Sequence, residues 1–442
     1  MKDILVLGAG LVAGPLVSYL LSVDGFRVIV ASRTRSKAER LIGSAENGKA
    51  LALDVQDASA VEGLVRDADL AVSLLPYVHH PMVAGLCVKH GVPMVTTSYV
   101  KKEMQGLDNA ARQAGVILLN EVGVDPGIDH MSAMAVIDRV KAEGGTIASF
   151  TSNTGGLPAP EANDNPLGYK FSWAPRGVLL AGRNPARYLR DAQIVEVPGA
   201  ELFTHHRPAD VAGFGTLEVY PNRDSLPYIE RYGIEGVRTM FRGTLRYPGW
   251  CDSLKAIADL GLLNDEEREG LAGQRYCNLA AQLISSSEAG SVEGDTAAFL
   301  GVAPSSKVIS DLRWLGLFSD EVIPTGTPTR LDALAHLMLD RMRYGPGERD
   351  MLVMQHEFDV EYADRRERIT STLIDFGIPD GDTSMSRTVG LPAAIGARMI
   401  LQGETDLTGV QVPVVPQLYE PILTELAKLG IRFSESREEI PR

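Results

Sequence analysis

The sequence predicts an α/β protein in which a doubly wound parallel sheet is joined to a second, mixed α/β region, and three observations carry that prediction. Between Ile4 and Leu119, short apolar runs alternate with helix-forming stretches over short connections, the pattern of parallel strands covered on both faces. The first run is followed at once by Gly8-Ala9-Gly10 and a helical pattern. From about Asp129 the rhythm changes to strand-like runs separated by Gly and Pro, which suits a mixed or antiparallel sheet.

Ile4 to Leu7 reads as a buried strand, Leu11 to Leu21 as a helix and Arg27 to Ala31 as a second strand, with a glycine turn between the first two. The unit carries G-x-G-x-x-A, with Ala13 in the third small position. Gly8 allows the tight turn, Gly10 has no Cβ to hold the main chain away from a pyrophosphate, and Ala13 lets helix and strand pack closely. Phosphates would then meet unpaired N–H groups at the positive end of the helix. Glycine clusters also make ordinary surface turns, but the flanking strands and helix favour the nucleotide.

The end of the second strand selects the cofactor. An NAD site usually places Asp or Glu there to accept from the ribose 2′-hydroxyl. Here the tip is Ser32-Arg33-Thr34-Arg35-Ser36-Lys37, with no acid before Glu39. Arg33 can fork onto a 2′-phosphate, and Ser32 and Thr34 can donate to it, so NADP is the expected cofactor. The bland reading is a solvated basic loop.

Further strands are predicted at Lys49 to Leu53, Leu70 to Leu75, Pro93 to Thr97 and Val116 to Leu119, with helices at Ala58 to Arg66, Pro81 to His90 and Lys102 to Ala114. Ligands of such sheets sit beyond the carboxyl ends of the strands, which directs attention to Leu74-Leu75-Pro76, Thr97-Ser98-Tyr99 and Val124-Asp125-Pro126. A helix at His130 to Ala142 precedes strands at Ile147 to Asn153, Ala192 to Val197, Gly215 to Tyr220 and Val237 to Tyr247. Gly155 to Pro175 reads as a long loop with little room for regular structure, kept from disorder by Tyr169, Phe171 and Trp173. Trp250 to Leu317 looks helical, including Glu266 to Ile284. A helix at Arg330 to Met342, a strand at Met351 to Tyr362, a core helix at Gly390 to Leu401 and a surface helix at Leu418 to Leu429 complete the chain.

The length suggests two or three domains. A net charge of −14 argues against a nucleic-acid surface. Cys87, Cys251 and Cys277 lie far apart with no C-x-x-C pair, which argues against a disulfide framework or zinc and fits a reducing compartment. The first strand begins too early for a signal peptide, and no apolar run approaches a membrane span, so a cytoplasmic protein is expected. His79-His80 and His205-His206 lack a third ligand at metal spacing, so no metal is expected.

The run from Thr154 to Trp173, TGGLPAPEANDNPLGYKFSW, resembles the signature loop of NADP-dependent, glutamate-forming saccharopine reductases. The resemblance extends to the Gly8–Ala13 motif, Ser32-Arg33-Thr34, Asp54-Val55, Ser98-Tyr99, Asn120-Glu121, Gly127 to His130 and Gly243 to Tyr247, so it spans essentially the whole chain. It implies a Rossmann domain (1–127 and 386–442), a mixed α/β substrate and dimerisation domain (128–249 and 331–385) and a small all-helical insertion (250–330). It also implies a homodimer of lysine metabolism, reducing the imine of 2-aminoadipate 6-semialdehyde and glutamate to saccharopine. By the same resemblance the cofactor positions are Ala9, Gly10, Leu11, Val12, Ser32, Arg33, Thr34, Asp54, Val55, Leu74, Thr97, Ser98, Val124, Asp125, Pro126 and Ser172, beside the motif's Gly8. The substrate positions are Ser98, Tyr99, Asp125, Arg223, Thr244, Leu245 and Arg246.

Saccharopine carries three carboxylates and two amino groups, so its site needs cations and at least one acid. Arg223 and Arg246 are sensible carboxylate clamps, unless each pairs an acid on the protein surface. Asp125 can hold an ammonium, or simply shape a turn before Pro126. Tyr99 can donate its phenol or assist proton transfer, or be an ordinary core tyrosine. Tyr99 and Asp125 are therefore the catalytic candidates, and His130 is set aside as a packing or capping residue. Fungal relatives carry Cys where this chain has Thr154, which offers no thiolate near neutral pH. Alternatives are a carboxyspermidine-type imine reductase and an NADP-sensing protein without chemistry.

Overall fold

In the computed structural model, which describes residues 1–286 and 292–441, the N-terminal pattern becomes an all-parallel sheet. Its first six strands are β1 (Lys2–Leu7), β2 (Phe26–Ser32), β3 (Gly48–Ala52), β4 (Leu70–Ser73), β5 (Met94–Thr96) and β6 (Ile117–Leu119). A seventh, Gly409–Gln411, pairs parallel with β6, and the order reads Gly409–Gln411, β6, β5, β4, β1, β2, β3. Alternate residues of β1 face opposite ways. Leu5 and Leu7 join Val61, Val65, Val83, Ala84 and Cys87 in one buried layer beneath helices Ala58–Arg66 and His80–His90. On the helix-bearing opposite side, Ala13–Ser22 packs against the long helix Ser384–Gln402. That approach needs Gly390, because a Cβ there would lie 2.8 Å from the Val12 carbonyl oxygen.

The chain divides into two units, Met1–Thr146 with Leu373–Ser434, and Ile147–Thr372 with Glu435–Arg442. The second is built on a nine-stranded mixed sheet. Its strand Thr239–Arg246 runs antiparallel to Gly215–Pro221 and parallel to Thr146–Pro158, with Thr244 opposite Thr154. The described residues between 250 and 330 carry only helices as regular elements, namely Trp250–Asp259, Tyr276–Leu283, Val292–Leu300 and Lys307–Leu315. Residues 287–291, inside the predicted helical stretch, and 442, at the end of the C-terminal segment, lie outside the described residues.

Several expectations need correction. The basic stretch after β2 is not a loop throughout, because Arg35–Ile42 is a helix whose Ala38 and Ile42, four apart, turn into the core. The helix predicted over Lys102 to Ala114 is two short ones, Lys102–Gln105 and Asp108–Gln113, parted at Gly106-Leu107 by a poor helix former. The predicted helix from Glu266 begins only at Tyr276, since Gly270 and Gly273 take φ of +73° and +84°. The loop expected from Gly155 starts as strand through Pro158, and Pro160–Ala162 is a helical turn. There Gly155 admits the neighbouring strand, for a Cβ would lie 2.5 Å from the Leu245 carbonyl oxygen. Strands at Ala186–Arg190, Arg207–Val211, Gly409–Gln411 and Ser434–Glu439 carry little apolar signal and were not expected, nor was Arg366–Phe376, whose apolar residues are interrupted by four charges.

Candidate active site

All the candidate positions in the first unit fall at or just beyond the carboxyl ends of its parallel strands. Gly8 follows β1 with φ +110°, and a Cβ on it would lie 3.0 Å from the Leu74 carbonyl oxygen. Its N–H donates to the Ala31 carbonyl, tying the turn to β2. At Gly10, by contrast, a Cβ would meet nothing within 4 Å. The chain's own packing therefore does not demand that glycine, and the open side suits a phosphate. The helix begins at Ala13, two residues later than predicted, leaving Leu11 68% exposed and Val12 partly so, beside Ala9. No side chain caps this helix and no acid lies in its first turn, so its N-terminal N–H groups keep their pull on an anion.

At the tip of β2, Arg33 and Thr34 are exposed and Ser32 is partly buried. Arg35 pairs with Glu39 four residues on, whereas Arg33 makes no ion pair among the described residues and keeps its fork for a ligand. Asp54 follows β3, is exposed, and accepts from the Gln56 N–H through Oδ1 at 3.0 Å, beside the half-buried Val55. Leu74 closes β4 by donating its N–H to the Leu7 carbonyl. These groups fit a dinucleotide with a 2′-phosphate.

Beyond β5 lie Thr97, Ser98 and Tyr99, and beyond β6 the loop Val124-Asp125-Pro126, whose Asp125–Pro126 bond is cis. The structure brings the two catalytic candidates together, because the Tyr99 hydroxyl donates to Asp125 Oδ1 at 2.9 Å. Glu121, which the sequence did not single out, holds both flanks of Tyr99. Its N–H donates to the Ser98 carbonyl at 3.2 Å, and its Oε1 accepts from the Val100 N–H at 2.9 Å. Its other oxygen lies 2.8 Å from His130 Nε2, both groups fully buried. His130 thus packs as expected, but as the partner of a carboxylate. His80 is also buried, between Ser73, Thr96 and Ser98, and desolvation pushes its pKa down to about 4. The sequence signal for His80 is its place just after the end of β4, in a His-His pair that has no third ligand at metal spacing.

The second unit holds the remaining candidates. Arg246 ends the strand Thr239–Arg246 and is 5% exposed. Its Nη1 donates to the Leu245 carbonyl at 2.7 Å, and its guanidinium lies 4.9 Å from the Tyr169 ring centre and 5.6 Å from that of Trp250. Glu218 faces it across the ladder, yet that carboxylate instead accepts the N–H groups of Gly249 and Cys251 at the start of helix Trp250–Asp259. Among the described residues Arg246 has no acidic partner. Its Nε, Trp250 Nε1, the Tyr169 hydroxyl and Thr154 Oγ1 are buried without hydrogen-bond partners. The Trp173 indole approaches the Tyr169 hydroxyl without a well-formed hydrogen bond. Burial pushes the Tyr169 phenol up, against the pull of the Arg246 charge.

Thr244 shares the Arg246 face, while Leu245 is wholly buried and meets Gly155. Arg223 differs from Arg246. It is exposed, in the turn after Gly215–Pro221, at φ +57°, with its carbonyl accepting from the Arg187 N–H. Ser172 is buried. No group of His, Cys, Asp and Glu among the described residues could hold a metal, and no described helix is long and apolar enough to cross a membrane.

Comparison with known proteins accounts for this arrangement. Residues 4–119 match the saccharopine dehydrogenase NADP binding domain and residues 123–431 the saccharopine dehydrogenase C-terminal domain. The chain is 43% identical to the saccharopine dehydrogenase [NADP(+), L-glutamate-forming] of Schizosaccharomyces pombe, over 98% of this chain and 99% of that one. It is 39% identical to the mitochondrial alpha-aminoadipic semialdehyde synthase of Bos taurus, covering 98% of this chain but 47% of that protein. The solved apo saccharopine dehydrogenase (L-Glu forming) from Saccharomyces cerevisiae superposes with a TM-score of 0.90 at 39% identity, covering 99% of this chain and 100% of that one. The chain belongs to the NADP-dependent, L-glutamate-forming saccharopine dehydrogenase family.

Proposed function

We propose that this protein reduces, with NADPH, the imine formed from 2-aminoadipate 6-semialdehyde and glutamate, giving saccharopine, and runs the reverse oxidation. The observation that carries the reading is Arg246, a buried guanidinium with aromatic faces and one carbonyl for company and, among the described residues, no acid of its own. A desolvated cation without a counter-ion is costly, and a substrate carboxylate supplies the missing charge and two hydrogen bonds. Arg223 serves a further carboxylate. Asp125 holds a substrate ammonium, and Tyr99, donating to Asp125, keeps that carboxylate aimed.

Bound NADPH supplies the hydride, which adds to the imine carbon while the nitrogen keeps the proton it already carries. Such a protonated imine needs positioning more than a dedicated acid, which agrees with Thr154 in place of a thiol. The unpaired Arg33 selects NADP. The test is saccharopine-dependent reduction of NADP against NAD, with reductive assays of the semialdehyde plus glutamate against the semialdehyde plus diamines. Preference for a diamine would move the protein to the carboxyspermidine-type reductases. Tight NADPH binding with no turnover on any pair would make it a sensor. We also infer the three-domain division given above, a homodimer, testable by sedimentation, and a cytoplasmic location, which the three unpaired cysteines favour and fractionation tests.

A further inference from the structure

Among side chains that the reaction scheme leaves unused, His80 touches a candidate ligand contact directly. It opens helix His80–His90 and is 4% exposed, and both ring nitrogens are engaged. Nδ1 lies 2.9 Å from Ser73 Oγ, and Nε2 lies 2.9 Å from Ser98 Oγ and 3.3 Å from Thr96 Oγ1. Ser73 ends β4, and Thr96 and Ser98 lie at the end of β5, so the imidazole bridges two adjacent strand tips where ligands of such sheets bind.

A neutral imidazole donates from one nitrogen and accepts at the other. Burial disfavours the form that donates from both. Donation to Ser73 then leaves Nε2 to accept, from Ser98 at 2.9 Å in preference to Thr96 at 3.3 Å, and donation from Nε2 requires acceptance from Ser73. The direction of the Ser98 O–H is therefore tied to the ring, and the ring to a serine with no exposure at all. A serine at an open strand tip would otherwise sample several rotamers and both hydrogen-bonding directions.

We propose that His80 is a positioning residue for Ser98, fixing the rotamer of its hydroxyl and coupling the direction of that hydroxyl to the tautomer of the ring before the amino-acid substrate arrives. The inference rests on the reading of Ser98 as a substrate contact. Preorganisation of this kind lowers the cost of ordering on binding and shows in kcat/KM.

The full-length protein tests it with Ser98→Ala, His80→Asn, His80→Gln and the Ser98→Ala/His80→Asn double variant, in saccharopine oxidation with NADP, each checked by thermal melting. An Asn amide reaches the Nδ1 position but not Nε2, whereas a Gln amide reaches Nε2. Ser98→Ala and His80→Asn should each lower kcat/KM about tenfold, as expected for one lost hydrogen bond, and the double variant should be no worse than the poorer single one. His80→Gln should recover activity relative to His80→Asn. Additive losses in the double variant, equal activity of the Asn and Gln variants, or failure of both His80 variants to fold would each make His80 merely structural and overturn the inference. Wild-type kcat/KM in Ser98→Ala would overturn the substrate reading of Ser98 and the inference with it. An impaired Ser98→Ala beside a wild-type-like His80→Asn would overturn the inference alone.

Discussion

At the turn after β1 the groups offered to a ligand are the main-chain N–H groups of Ala9 to Val12 on accessible chain, whereas at Arg246 they belong to one side chain with 5% exposure. The first region works by omission. Gly8 is required by its φ and by the nearby Leu74 carbonyl, and Gly10 is small where no protein atom asks it to be. The second works by presence, with a desolvated cation that no carboxylate pairs among the described residues, although Glu218 stands opposite it. A main-chain site costs the fold little when empty, because water reaches its N–H groups. A buried, unpaired guanidinium costs the empty fold several kcal/mol. The two regions should therefore respond in opposite ways to mutation.

The largest effect is expected at Arg246. Arg246→Met should lower kcat/KM for saccharopine about 100-fold, from lost charge-assisted hydrogen bonds of about 1.5–3 kcal/mol each, and leave the melting temperature unchanged or higher. A variant that is both inactive and clearly less stable would break the comparison, since it would show that Arg246 serves the fold.

Acid should next expose the buried side chain behind the first region. Burial lowers the His80 pKa from 6.5 to about 4. The folded value lies below the unfolded one, so the contribution to stability is complete above the unfolded pKa and is lost as pH falls through 6.5 toward 4, up to about 3 kcal/mol. The nearby charge of His79 acts in the same direction. Urea midpoints at about pH 7 and about pH 4.5 should therefore fall further for the wild type than for His80→Asn. Equal falls would place the acid sensitivity elsewhere.

The two glycines sharpen the contrast within one turn. Gly8→Ala should destabilise the fold by about 1–3 kcal/mol through its φ and the Leu74 contact. Gly10→Ala should keep the melting temperature and weaken NADPH binding about tenfold, because the new Cβ points where only a phosphate would be. Equal melting temperatures for the two variants would contradict the geometry.

How much of this was legible in the sequence follows the same division. A parallel sheet gathers its candidate positions at strand tips, so finding the strands nearly finds those positions, and Gly8, Ser32, Leu74 and Ser98 all lie at the strand ends the pattern gave. The second unit hides its logic in pairing. That Thr154 lies beside Thr244, and that Glu218 faces Arg246 yet turns to the N–H groups of Gly249 and Cys251, depends on sheet register, which local pattern does not encode. Arg223 and Arg246 read alike as clamps, and only the fold separates an exposed residue at positive φ from one under two aromatic rings. The missed strands are short or rich in charge, as in Ser434–Glu439, where every residue is exposed and periodicity has no apolar partner to report.

The smallest effect is expected at Arg33, because its charge acts from an exposed tip where water and salt screen it. Arg33→Asp should raise the Kd for NADPH about tenfold through lost pairing and added repulsion, with NADH binding unchanged or tighter. Salt separates this cleanly from a structural effect. Wild-type NADPH affinity should fall with ionic strength more steeply than that of Arg33→Asp, whereas NADH affinity should hardly respond in either protein. Arg35→Asp is the matched control, since Arg35 is already paired with Glu39 and has less to offer a phosphate. If Arg35→Asp shifted cofactor preference as strongly as Arg33→Asp, a diffuse basic field would be sufficient, and the division of labour between these neighbouring guanidinium groups would be wrong.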